Sequence, residues 1–168
     1  VFELSIESLP DGQVGEGFDE YLFYLITQVS NRRSRDFAPV LESMALSMPE
    51  WRALSVINRL GGCLMSELSE FTTVDRTTLT RTVDQMVASN LVCRNASCTD
   101  RRQVMVIMTA HGRALFARSL DALKSHNARM LDGLSDTDQR TLRALLQRIL
   151  MNIVQDPEHF RKVVNFER

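Results

Sequence analysis

The chain has little of what usually announces chemistry. Its three cysteines, Cys63, Cys93 and Cys98, form no CxxC pair and have no metal-ligand spacing to His111, His126 or His159. That excludes a disulfide scaffold and a zinc framework, and an odd number of thiols suits a reducing compartment. Apolar runs are short: Tyr21 to Ile26 and Val104 to Met108 fall far below the roughly 20 residues that span a bilayer. No basic stretch followed by an apolar core opens the residues given, so no secretory signal and no membrane partner are expected, and the expected location is cytoplasmic. Only seven glycines occur, and their one adjacent pair, Gly61-Gly62, has the character of a helix stop, not a phosphate cradle. Paired carboxylates, a nucleophile with its base and a metal site are all lacking, so neither an enzyme nor a cofactor is expected. Charge of one sign is lacking too: the net charge is −1 and the pI about 6.3, which does not by itself suggest a polyanion as partner.

What remains is ordinary globular composition, 44% hydrophobic and 24% charged over 168 residues, enough to bury a core. Residues 1–17 are acidic and carry Pro10, Gly12, Gly15 and Gly17, so they are expected to form a leader arm or to be disordered. Residues 18–168 are expected to form a single domain without repeats.

The periodicity along that domain is helical, with one interruption. Leu22, Leu25, Ile26 and Val29 recur at i, i+3, i+4, i+7 in a first helix over about 18–36, closed by Arg32, Arg33 and Arg35. Pro39 is expected to start a short second helix through Met44. Met48-Pro49 opens another, with Trp51, Leu54, Val56, Ile57 and Leu60 facing inward. A long helix follows Thr109, with Leu115, Leu120, Leu123, Met130 and Leu131 as its main apolar members. Ser135 and Asp138 mark the start of the last helix. There Leu142, Leu145, Leu146, Ile149, Leu150, Ile153 and Val154 form the cleanest apolar stripe in the chain.

The interruption runs from Ser66 to Thr109. A short helix around Ser66 to Phe71 leads into an amphipathic helix from Asp75 to Asn90, then into two strand-like runs, Leu91 to Arg94 and Gln103 to Met108. On the longer helix Leu79, Val83, Met86 and Val87 form a buried stripe. At 100° per residue Thr77, Arg81 and Asp84 fall opposite, with Thr78 and Thr80 on the borders. The strands flank a polar tip, residues 95–102. Between Ser89 and Arg113 the local balance is +3, from Arg94, Arg101, Arg102 and Arg113 against Asp100. A hydroxyl- and arginine-bearing helix beside a basic β-tip is the arrangement of a winged helix-turn-helix that reads duplex DNA. An isolated polar helix face is usually just solvated; the adjoining wing shifts the reading to DNA.

Three motifs in order resemble the MarR-type winged-helix transcriptional regulators. They are Met48-Pro49-Glu50-Trp51-Arg52-Ala53-Leu54, then Val74-Asp75-Arg76-Thr77-Thr78-Leu79-Thr80-Arg81, then Asp100-Arg101-Arg102 followed by Ile107-Met108-Thr109-Ala110-His111-Gly112. The second is close to the family's D-R-s-T-v-T-R, and Asp100-Arg101-Arg102 fits its wing motif D-x-R. The resemblance covers roughly Tyr21 to Val154. It implies a mainly α fold with a small β-wing, in which the winged-helix lobe occupies about 49–109. The helices at about 18–36 and 110–155 would intertwine with those of a second copy to form a homodimer.

It further implies a repressor that binds an inverted-repeat operator and is released by a small aromatic or phenolic ligand. Arg76, Thr77, Thr78 and Arg81 would then meet base edges and phosphates in the major groove. Arg102 would enter the minor groove, with Asp100 orienting it and Arg101 on phosphate. The ligand would sit between the dimer helices and the DNA-reading lobe, near Phe23, Met44, Met48 and Trp51, with Trp51 better read as core. The family's peroxide-sensing branch has a reactive cysteine in its first helix; this chain has none there. Cys98, at the wing tip, is expected to be exposed and open to oxidation, while Cys63 and Cys93 are expected to be buried and the histidines superficial. The competing expectation is a winged helix that binds protein and not DNA, which the overall charge would suit.

Overall fold

The structure is a computed structural model and describes residues 18–72, 74–96, 104–154 and 156–157. It comprises two compact units, Val1–Phe37 and Ala38–Arg168. Helix α1 (Phe18–Glu42) begins in the first and ends in the second. The second continues with α2 (Met48–Leu60), β1 (Cys63–Leu64), α3 (Met65–Thr72), α4 (Arg76–Ala88), β2 (Val92–Ala96), β3 (Val104–Met108), α5 (Ala110–Met130) and α6 (Asp136–Val154). The expected class, mainly helical with a small β-wing, is what the chain adopts.

In the first unit the expected stripe lies on α1, yet Leu25 and Val29 remain exposed, as do Tyr21, Phe23 and Tyr24. The Tyr21 and Tyr24 rings stack with centroids 6.3 Å apart. Pro39 does not start a new helix: α1 runs through it to Glu42. A proline inside a helix removes one i→i−4 bond and crowds the preceding turn. Here that cost is offset by packing, since Leu41 and Leu46, just beyond it, are both buried. The turn then closes with Ser43 N–H donating to the Pro39 carbonyl at 3.0 Å and Ala45 at φ 56°.

Helix α2 is the centre of the second unit. Ser47 and Glu50 form a capping box at its start and Gly61 ends it in the left-handed region, φ 69°. Trp51, Ala53, Leu54, Val56 and Ile57 are buried, and α3, α4, α5 and the sheet pack around them. Leu68 on α3, Leu79, Val83 and Met86 on α4, Val106 on β3 and Phe116 on α5 complete the core. Full burial of side chains of this size stabilises by roughly 1.5–3 kcal/mol each.

The sheet has the order β1-β3-β2, antiparallel throughout. Strand β1 was not expected. Two residues carry no periodicity; Cys63 and Leu64 are a strand only because Val106 and Met105 lie opposite them. On helix α5 Gly112, Phe116, Ser119 and His126 are inward, while Met130 and Leu131, two of the main apolar members of this stretch, are exposed. Burial of His126 corrects the expectation of a superficial residue. Ser119 and His126 look like surface residues in sequence, but tertiary contact recruits Ser119: the Trp51 indole N–H donates to its Oγ at 3.0 Å. Trp51 is a core residue, tilted against Phe116 at 6.4 Å.

Helix α6 buries nothing. Its capping box forms as expected, with Ser135 N–H donating to Asp138 Oδ2 at 3.0 Å and Asp138 N–H to Ser135 Oγ at 3.2 Å. Even so, Leu142, Leu145, Leu146, Met151 and Ile153 are all between 41% and 67% exposed.

The start of α5 is pressed onto the segment that follows α4. A Cβ at Gly112 would overlap the carbonyl oxygen of Leu91 and lie 2.9 Å from its carbonyl carbon. Gly112→Ala must therefore move backbone, and should destabilise the protein by about 3 kcal/mol, the upper end for overpacking. Urea unfolding checks this; an alanine variant as stable as the parent would mean that the two segments separate freely.

Candidate nucleic-acid interface

Helices α3 and α4 form the helix-turn-helix. Asp75 caps α4: its Oδ1 accepts the Thr78 N–H at 2.9 Å. Within α4, Thr80 Oγ1 donates to the Arg76 carbonyl at 2.9 Å and Thr82 Oγ1 to that of Thr78 at 2.8 Å. Leu79, Thr82, Val83 and Met86 face the core. Val87, expected with them, is 38% exposed, since the buried stripe is shifted toward Thr82 and leaves Val87 at its opposite edge.

Arg76, Thr77, Thr78 and Arg81 are exposed, together with Thr80 and Asp84. Arg76, Thr77, Thr80, Arg81 and Asp84 line one shallow depression along the helix. The helix thus presents two guanidinium groups and short hydroxyls on one side, which suits close approach to a polyanion.

The wing stands beside this face. Strands β2 and β3 pair from Val92↔Met108 to Ala96↔Val104, with Arg94 opposite Val106. Asp100, Arg101 and Arg102, with Cys98, lie outside the described residues. Arg94, which counts in the sequence only toward the local positive charge, reaches across from β2 to α4, Nη1 to Asp84 Oδ1 at 2.7 Å. Between α3, α4 and the wing base lies a groove of about 620 Å³ lined by Met65, Ser66, Ser69, Arg76, Thr80, Arg94 and Val104. Ser66 and Ser69 were also passed over in sequence, where nothing marks them until α3 lies against the wing. Arg113, counted toward the local positive charge, is used internally: its Nη1 donates to the Met108 carbonyl at 2.7 Å.

Of the residues expected near a ligand, Phe23 is exposed in the first unit, and Met44 and Met48 are half-buried in the second. Met48 lines a surface pocket of about 370 Å³ with Ala38, Glu42, Ala45, Leu46 and Ser47. Trp51 is occupied with the core. Cys63 is buried as expected, but Cys93 is half-exposed on β2. Among the described residues no group of three His, Cys, Asp or Glu is placed to hold a metal, and no helix is long and apolar enough to cross a membrane.

Comparison with known proteins agrees with this geometry. The family model described as the MarR family matches residues 46–104. The HTH-type transcriptional repressor IacR of Pseudomonas putida is 25% identical over 135 residues, covering 80% of this chain and 81% of its own length. A MarR family transcriptional regulator from Silicibacter pomeroyi DSS superposes with a TM-score of 0.77 at 27% identity, over 89% of this chain and 99% of its own. A MarR mutant from E. coli complexed with operator DNA shares the fold, TM-score 0.70 at 24% identity, over 81% and 99%.

The cap of α4 makes a pH prediction. The Thr78 hydroxyl and backbone N–H hold the Asp75 carboxyl below its ordinary value of 3.8, because both favour the ionised form. A lowered folded pKa means that this stabilisation is complete above 3.8 and is lost as pH falls through the folded value. Asp75→Ala should therefore lower the melting temperature at neutral pH, and the gap from the parent should narrow on acidification. A gap that stays constant with pH would show that the carboxylate charge plays no part in the cap.

Proposed function

The chain belongs to the MarR family of winged helix-turn-helix transcriptional regulators, DNA-binding proteins and not enzymes, and from that premise we propose a homodimeric repressor acting at an inverted-repeat operator in the cytoplasm. Helix α4 enters the major groove. Arg81 pairs there with a guanine edge or a phosphate, and Arg76, Thr77 and Thr78 hold phosphates and base edges. Arg102 enters the adjoining minor groove, oriented by Asp100, while Arg101 meets phosphate. The observation that carries this reading is the exposed side of α4, where Arg76 and Arg81 stand among short hydroxyls directly beside the wing base.

A second copy of the chain is the natural cover for α6. Isolated exposed apolar residues need no explanation, but a whole helix stripe left in water does. Leu142, Leu145, Leu146 and Ile153 form such a stripe, and α1 carries another. A two-fold dimer places its recognition helices about 34 Å apart, one turn of duplex, and so demands an inverted repeat. A small aromatic or phenolic ligand releases the dimer by favouring a different lobe spacing, a coupling of ~1–3 kcal/mol in typical cases. Met44 and Met48 are the residues proposed to meet it.

Selection from a random duplex library, with binding remeasured at two salt concentrations, tests the reading. An enriched inverted repeat and a steep loss of affinity with salt are expected. A folded dimer that enriches nothing would instead be a winged helix devoted to another protein. Arg102→Ala should cost roughly 1–3 kcal/mol of operator binding while dimer and melting stay intact; unchanged affinity refutes the wing assignment. Leu146→Asp should yield monomer or unfolded protein by sedimentation and circular dichroism, and a stable dimer would place the interface elsewhere.

A further inference from the structure

Asp84 is the one acidic side chain within α4, and it lies on the exposed side with Arg76, Thr77, Thr80 and Arg81. A carboxylate on a surface that meets phosphates is repelled by them, so its presence there needs a reason. Its partner is Arg94 of the wing strand β2, 2.7 Å away, with side chains 56% and 36% exposed respectively. An ion pair this open to water contributes little to folding stability. What distinguishes it is the two elements it joins. The backbone of Arg94 is held in the sheet opposite Val106. Asp84 follows Val83 and precedes Met86, both fully buried, so the helix on its side is held by the core.

We propose that Asp84 and Arg94 form a positioning pair, which sets the wing against the recognition helix so that both meet the duplex as one unit. The inference rests on the DNA-reading function proposed above. Arg94 also lines the groove shared with Arg76 and Thr80. Without its carboxylate partner the guanidinium has no fixed position, and the wing base loses its one ion-paired tie to α4 among the described residues. The Asp84 carboxylate therefore acts through Arg94 and touches no base.

This role and simple charge repulsion predict opposite signs. If Asp84 were only a misplaced negative charge, removing it would tighten DNA binding. As a positioning residue its removal must weaken binding. The test uses the full chain and its selected operator duplex, with affinity read by fluorescence anisotropy and stability by thermal melting.

Asp84→Asn should weaken binding roughly two- to tenfold, the range open to an exposed pair present twice in a dimer. Arg94→Gln should weaken it at least as much, and the double variant should bind no worse than Arg94→Gln alone, the mark of coupled residues. Asp84→Glu, which keeps the charge, should recover most of the affinity, and melting temperatures should change little throughout. Binding by Asp84→Asn as tight as or tighter than the unaltered protein overturns the positioning role, as do two effects that simply multiply. In either case a parent that still selects an operator leaves the DNA-reading function standing. A parent that selects no duplex overturns both.

Discussion

The arrangement depends first on one carbonyl. The Leu91 oxygen accepts the Thr109 N–H at 3.0 Å and Gly112 presses its bare Cα against the same peptide, while the Thr109 hydroxyl donates to the neighbouring Asn90 carbonyl at 2.6 Å. Leu91 follows the end of α4, where its own N–H returns to the Met86 carbonyl at 2.8 Å and Asn90 takes φ 57°. Thr109 ends the wing and caps α5, its Oγ1 accepting the Gly112 N–H at 2.9 Å. The end of the recognition helix, both feet of the wing and the start of the long helix are thus tied at one point. A small shift at that joint would move every group proposed to meet DNA. Only a residue without a side chain fits at position 112.

Charge is organised on a finer scale than the whole molecule. A net charge of −1 is no obstacle to binding a polyanion when the acids are elsewhere or already engaged. Near the interface Asp75 caps α4 and Asp84 is bridged to Arg94, so the carboxylates of α4 and of its cap both have partners. The arginines divide in the same way. Arg113 serves a backbone carbonyl and Arg94 a carboxylate, which leaves Arg76 and Arg81 facing solvent on α4.

Apolar surface is also divided in two. One set, centred on α2, is consumed within the chain and holds the helix-turn-helix and the sheet in place. The other, on α6 and on the outer part of α1, is left in water although it has the clearer helical periodicity. Periodicity measures how well one face of a helix is separated from the other, and is silent on whether the covering surface belongs to the same chain.

Local signals determined much of this protein. Capping residues and apolar spacing located α2, α4, α5 and α6; the motif from Asp75 to Arg81 pointed to the family. The side of α4 carrying Thr77, Arg81 and Asp84 followed from 3.6-residue geometry alone, because Leu79, Val83 and Met86 have only one way to face a core. Tertiary structure decided the rest. Strand β1 exists only through its pairing with β3, α1 runs through Pro39 because Leu41 and Leu46 are buried beyond it, and Ser119 lies inside because Trp51 of α2 meets it there. The link between Asp84 and Arg94 could not be seen either, since ten residues of helix, turn and strand must fold before the two charges meet. Interactions within one turn of helix are written in neighbouring residues; those between elements depend on distances that the fold alone creates.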